Sequence, residues 1–228
     1  MTSALKEEFL TLLKEGKIER VAGLVAQKRG SIRYLNRLLY HPEELVRWRA
    51  IEAMGEVAHS LADNDPEGVR IILRNLLWSI NEESGGIGWS SPQCIGEIVH
   101  RRPDMFGEFA SIVLSFTDEE MLKKGVVWAA GRIAQARPEL VLEEVPRLMG
   151  FLGDPDPAVR GYTLRYLRFV GEKPDFDLYP GLLKDTGEVP LYENGELKTV
   201  TVAHLAGKLA GQRSAVDKRD PWERRVIE

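Results

Sequence analysis

One cysteine, Cys94, stands in 228 residues. It leaves no intramolecular disulfide and no multi-cysteine zinc site to consider. Its apolar repeat position reads as a buried thiol. Long apolar runs are missing too, since none approaches the ~18 residues that span a bilayer. Met1 to Glu8 carry charges where a signal peptide needs an apolar stretch. These two absences predict a soluble, cytoplasmic chain. A basic excess is also missing: 31 Lys and Arg face 35 Asp and Glu, for a net charge of −4 and a pI near 5.7. No overall positive field therefore draws nucleic acid to the chain. Histidine is sparse, with His41, His59, His100 and His204 standing singly. Cys94 and His100 point to different faces of one predicted helix, which argues against a Cys–His pair. Neither a Gly-x-x-x-x-Gly-Lys-[Ser/Thr] phosphate loop nor a Gly-x-Ser-x-Gly elbow occurs. No metal or cofactor is expected.

What is present is a repeat. Val46-Arg47-x-x-Ala50-x-x-Ala53-Met54-Gly55 recurs in looser form at Ile87 to Gly96, at Leu122 to Gly131 and at Val159-Arg160 to Arg168. A period of about 40 residues with two helical patterns per unit predicts stacked helix pairs, none able to bury its apolar face alone. Turn signals punctuate the pattern at Asp63-Asn64-Asp65-Pro66, Pro103, Pro138 and Asp154-Pro155-Asp156-Pro157. They predict helices over 43–61, 67–80, from Pro92, 104–116, 118–136, 139–152 and 157–170. After Gly171 the pattern changes. Alternating apolar residues around Asn194-Gly195 predict a β-hairpin, and Thr201 caps a short helix after it.

Val46-Arg47 and Val159-Arg160, each ahead of a helix with small residues at fixed offsets, resemble HEAT-like repeats. Asp154-Pro155-Asp156-Pro157-Ala158-Val159-Arg160 is the closest match. The resemblance covers roughly residues 31–172 and departs from the family pattern at Pro92 and Arg168. It implies an all-α fold: a right-handed α-α superhelix of HEAT-like helix pairs with a small C-terminal hairpin appendage. The expected organisation is a solenoid over 1–172, with a cap at 1–30 and about four repeats over 31–172. A hairpin and short helix over 173–211 pack on the last repeat, and 212–228 is a flexible charged tail. HEAT-like families mostly serve as scaffolds for proteins and peptides, and a few are enzymes, including DNA glycosylases and hydroxylases. None of the four histidines forms the His-Glu pairs those hydroxylases use for iron.

At 100° per residue, Trp48, Glu52 and Glu56 fall opposite the core side of their helix. The matching positions are Trp89, Gln93 and Glu97, then Lys124, Trp128 and Arg132, then Gly161, Arg165 and Phe169. Stacking turns these rows into a ladder along the concave surface, with three of the five tryptophans exposed on it. Glutamates make the first half of the ladder acidic, and arginines make the second half basic. Replacing Trp89 and Trp128 by alanine is expected to remove binding and spare stability.

The loop Asn81, Glu82, Glu83, Ser84, Gly85 and Gly86 is long for a helix connection. Its glycines could turn amides toward an anion.

The leading expectation is a non-enzymatic scaffold that binds a protein or peptide in a groove of Trp48, Glu52, Glu56, Trp89, Gln93, Glu97, Trp128, Arg132 and Arg165. One alternative is an enzyme or small-ligand protein using the 79–91 loop and the groove carboxylates, whose pKa partial burial would raise. Another is nucleic-acid binding, for which Lys123, Lys124, Arg132, Arg165 and Arg168 supply only a partial basic track.

Overall fold

The computed structural model describes residues 2–80 and 88–211. Its helices are α1 (Thr2–Lys14), α2 (Ile18–Gln27), α3 (Ile32–Leu38), α4 (Glu44–Ala62), α5 (Pro66–Ile80), α6 (Ser91–Arg101), α7 (Pro103–Phe106), α8 (Phe109–Leu114), α9 (Glu120–Ala136), α10 (Val145–Met149), α11 (Pro157–Val170) and α12 (Val202–Ala210). The strands β1 (Glu188–Glu193) and β2 (Glu196–Thr201) pair antiparallel before α12. The chain is thus predominantly α-helical with one small hairpin. The expected tail 212–228 and the loop residues Asn81, Glu82, Glu83, Ser84, Gly85 and Gly86 lie outside the described residues.

Five helices form the spine. α2, α4, α6, α9 and α11 each pack most heavily on the next, while α5, α8 and α10 flank them. In α4, Val46, Ala50, Ala53, Met54, Val57 and Leu61 recur at three- and four-residue steps, and all are buried. Small residues let neighbouring backbones approach. A Cβ at Gly96 of α6 would lie 2.7 Å from Ala129 Cα in α9.

The recurring Val-Arg pairs of the repeat have a shared mechanical role. Arg47 donates to the carbonyls of His41 and Pro42, at 2.8 and 2.9 Å. Arg160 makes the equivalent pair to Asp154 and Pro155, at 2.6 and 3.0 Å. Each arginine clamps the turn that leads into its own helix, satisfying carbonyls that no helix ladder reaches. At α11 the start is reinforced: the Asp156 side chain accepts from Ala158 N at 2.8 Å, and Pro157 occupies the first turn.

Two of the outer helices are shorter than the sequence pattern suggests. The stretch expected as one helix over 104–116 is split into α7 and α8, and 139–152 consists of 3-10 turns around the five-residue α10. Pro146 explains the second case, because a proline inside a long helix would clash with the preceding turn, whereas near the start of α10 it costs no hydrogen bond.

The hairpin turn is made by Asn194 and Gly195, with φ of 53° and 77°. This left-handed pair is what a two-residue hairpin turn requires. Thr201 caps α12 by accepting from His204 N. Val189 sits over Gly161 of α11, where a Cβ would come within 2.6 Å of its side chain. Tyr162 Oη donates to Pro190 O at 2.7 Å. From there β1 runs on, and its tip reaches α4 as well as α11.

Candidate functional site

The tryptophan row lies where the helical geometry placed it, but it is not open. Trp48 on α4 and Trp128 on α9 meet with ring centroids 5.0 Å apart, although α6 lies between their helices in the stack. Neighbouring helix axes sit roughly 8–10 Å apart, so contact between next-but-one helices means that this face curves inward. Tyr192 from the hairpin then stacks on Trp48 at 5.6 Å. Trp48 and Trp128 are left 6% and 3% exposed. The expected exposed ladder is therefore corrected at both positions: the hairpin, read as an appendage on the last repeat, covers the inner face. Trp89 differs. Helix α6 starts only at Ser91, so Trp89 stands in the connection ahead of it and is 53% exposed.

The charges along the row pair with one another. Glu97 of α6, 3% exposed, accepts from Arg132 of α9 through both oxygens, at 2.6 and 3.0 Å. It also accepts from Arg101 one turn on, at 3.3 Å. Arg101 bonds in turn to Glu56 and lies 3.8 Å from Glu52 on α4. Glu52 accepts from Tyr192 Oη. A connected set of charge-assisted bonds thus links α9, α6, α4 and the hairpin tip. Arg49 fixes the same tip from α4, donating to Gly195 O at 3.1 Å and to Leu13 O and Lys14 O of α1. On the far side Arg165 of α11 holds Glu193 at 3.1 Å.

This pairing overturns the expected raised carboxylate. Burial alone would push the Glu97 carboxyl up, but the Arg132 hydrogen bonds and the charges of Arg132 and Arg101 hold it below the usual range. Glu97 is thereby a structural anion rather than a proton-accepting base. The acidic and basic halves of the row do not present as separate patches, because their members neutralise each other across the face. Burial pulls the Arg165 guanidinium down from its ordinary value, with Glu193 acting against it. Cys94 is fully buried, and that burial, followed by the charge of Glu97, raises its thiol well above the ordinary value.

The hairpin divides the inner face into two chambers. One, of about 390 Å³, is lined by Tyr40, Trp48, Ile51, Trp89, Gln93, Met121, Lys124, Tyr162 and Pro190, among others. Tyr40 and Met121 are more than half exposed at its edge, as is Trp89. The other, of about 310 Å³, is lined by Glu52, Glu97, Trp128, Arg132, Gln135, Arg165, Arg168, Phe169 and the hairpin residues Tyr192, Glu193 and Asn194. Of the nine groove residues expected from the sequence, all but Glu56 line one chamber or the other. Glu56 instead supports Arg101 from behind.

Sequence reasoning missed Arg101, Tyr192, Glu193 and Asn194. Arg101 had a signal in its four-residue spacing from Glu97. The hairpin residues had none, since nothing in a strand's alternation names a partner in a distant helix.

The serines flanking the 81–87 segment are engaged within the protein. Ser79 Oγ and Ser91 Oγ lie 2.8 Å apart, and Ser90 Oγ donates to Leu39 O at 3.0 Å. Among the described residues no three His, Cys, Asp or Glu side chains converge to hold a metal ion. No helix among them is long and apolar enough to cross a membrane.

Comparison with known proteins agrees with this architecture. A protein of Archaeoglobus fulgidus, described as uncharacterized, is 26% identical over 174 residues, covering 75% of this chain and 91% of its own length. Residues 120–169, spanning α9 to α11, match the family model of a HEAT-like repeat. The segment that carries Trp128, Arg132, Arg165 and Phe169 is thus the part of the chain similar to a HEAT-like repeat.

Proposed function

We propose that the protein is a binding scaffold that seats an apolar side chain of a polypeptide segment in the aromatic chamber beside the hairpin. The coarser part of this reading, a scaffold or binding role, follows from the HEAT-like repeat, since such repeats commonly mediate protein interactions. The finer part is carried by one observation. Trp89, Tyr40 and Met121 stand more than half exposed around a concave cavity floored by Trp48 and Ile51. Large apolar side chains grouped at the mouth of a pocket are costly to leave in water and mark a surface that is covered in use. Aromatic residues and methionine are also the types enriched where polypeptides dock. The hairpin segment within 173–211 belongs to the binding surface, because Pro190 forms one wall.

The charge pattern favours a polypeptide over nucleic acid. A phosphate track needs a run of free cations, whereas Lys123, Lys124 and Arg132 pair with carboxylates and Arg165 is held along one edge by Glu193, which leaves Arg168 alone without an ion pair among the described residues of that track.

A displayed library of random peptides tests the reading. Wild-type protein is expected to enrich peptides bearing aromatic or long aliphatic residues, and the Trp89→Ala/Met121→Ser variant to lose that enrichment with its melting temperature unchanged. Enrichment that persists in the variant would overturn the assignment to this chamber.

A further inference from the structure

The second chamber carries a different chemistry. Two of the side chains that line it each carry a buried donor with no hydrogen-bond partner among the described residues: Arg165 Nη1 and Trp128 Nε1. Arg165 is 6% exposed and Trp128 3%. Leaving a buried donor unpaired costs on the order of 1–3 kcal/mol, more for a charged one. Two such groups on one cavity are what an absent acceptor leaves behind. The other nitrogens of Arg165, Nε and Nη2, are used by Glu193, so one edge of the guanidinium is held while Nη1 remains available. Arg168, exposed on the same wall, makes no ion pair among the described residues and lies 6.0 Å from the Phe169 ring.

We infer that this chamber is a binding site for a carboxylate group, received by Arg165 Nη1 and the Trp128 indole N–H with Arg168 at the entrance. The inference goes beyond the aromatic chamber and does not depend on what occupies it. Charge balance selects the class. Of the charges that line the cavity, Glu97 pairs with Arg132, Glu193 with Arg165 and Glu52 with Arg101 from behind, which leaves Arg168 to match a single added negative charge but not a phosphate dianion. Two donors also suit the two oxygens of a carboxylate. Trp128 and Phe169 supply apolar walls for the group that bears it. The carboxylate could belong to a small organic acid or to the end or an acidic side chain of a bound polypeptide.

The probe is the Trp128 indole signal in a ¹⁵N–¹H correlation spectrum, identified by its disappearance in Trp128→Phe. Benzoate is expected to shift this signal saturably, whereas benzamide, which has the same shape without the charge, is not. A tripeptide ending in phenylalanine with a free carboxylate is compared with its amide. Binding by the free acid at least tenfold tighter than benzoate assigns the site to polypeptides, and no gain over benzoate assigns it to small acids.

Arg165→Gln should weaken benzoate at least about tenfold and Arg168→Gln by less. Glu193→Gln should tighten it, because it releases the held edge of Arg165. Loss of a merely structural contact would weaken or spare binding in Glu193→Gln, so that variant keeps the test decisive even if Arg165→Gln fails to fold. Equal binding of benzamide or inorganic phosphate, weaker or unchanged binding in Glu193→Gln, or no saturable shift with either carboxylate would overturn the inference.

Discussion

Tyr192 stacks on Trp48 with ring planes 8° from parallel, and its hydroxyl donates to Glu52, 140 residues away in the chain. This contact joins the C-terminal hairpin to the first long helix of the stack. It turns an open row of aromatic and charged residues into two chambers separated by a hairpin. Its consequences are measurable at several positions.

The tryptophans of the row should split into two classes. Trp48→Ala and Trp128→Ala each remove a buried indole and leave a cavity, at an expected cost of about 3–5 kcal/mol. Trp89→Ala removes a half-exposed ring and should stay within about 0.5 kcal/mol of wild type. Urea denaturation followed by circular dichroism separates the classes. A small effect at Trp128 would mean that the inner face is open in solution.

The hairpin should owe its order to docking. An isolated two-stranded hairpin is marginal in water, and no residue of β2 is fully buried. Tyr192→Ala removes the stack and the Glu52 bond together. Amide exchange across 188–201 is then expected to speed up at least about tenfold, with the α6–α9 core unchanged. Tyr192→Phe keeps the stack and should give a smaller acceleration. Unchanged protection in Tyr192→Ala would place the anchoring at Val189 and Tyr162 instead.

The stack itself offers a paired test on glycine. In Gly96→Ala the new methyl meets Ala129 backbone at 2.7 Å, so α6 and α9 must separate, at roughly 1–3 kcal/mol. In Gly131→Ala the nearest atoms are backbone atoms of Tyr166 at 3.5 and 3.6 Å, an ordinary contact. There the better helix propensity of alanine should hold stability level or raise it by up to about 1 kcal/mol. Thermal melts of the two variants should move in opposite directions or differ by several degrees.

The contrast between stack and hairpin also marks what the sequence makes legible. The repeat is local information: apolar residues at helical steps, Asp and Pro at the turns, and small residues where backbones approach. The hairpin turn is equally local, since Asn194-Gly195 announces it. The angular placement of Trp48, Gln93, Glu97, Trp128 and Arg165 followed from the same 100° step, and these residues do line the chambers. Their exposure did not follow, because exposure depends on what arrives from elsewhere in the chain. Tyr192, whose alternating strand pattern fits any apolar surface, arrives at Trp48. The charge of Glu97 was similarly visible, but its state was not, because that state is set by Arg132 on another helix. The fragmentation of the outer helices lay between these cases. Pro146 is local information too, and it marks the break that the expected single helix over 139–152 passes over.

The network around Glu97 finally gives the fold a pH dependence through His100. The His100 ring lies on α6 with Nδ1 3.0 Å from Arg132 O. Burial first, and then the positive charge of Arg132, pull its pKa from 6.5 to about 4, against a smaller upward pull from Glu97. The unfolded chain takes up the proton near pH 6.5, and the folded one only near 4. Protons therefore favour the unfolded state across that window, so stability is full above 6.5 and falls as the pH drops toward 4. The loss from this one group should reach about 2 kcal/mol by pH 5. Glu97, whose carboxyl lies below its ordinary value, adds a loss of the same sign at more acid pH. Replacing His100 by glutamine removes the titrating ring while keeping a polar group toward Arg132. Urea midpoints measured from pH 7.5 to 5 should fall in the wild type and stay much flatter in His100→Gln. Parallel curves would assign the acid sensitivity to the carboxylates alone.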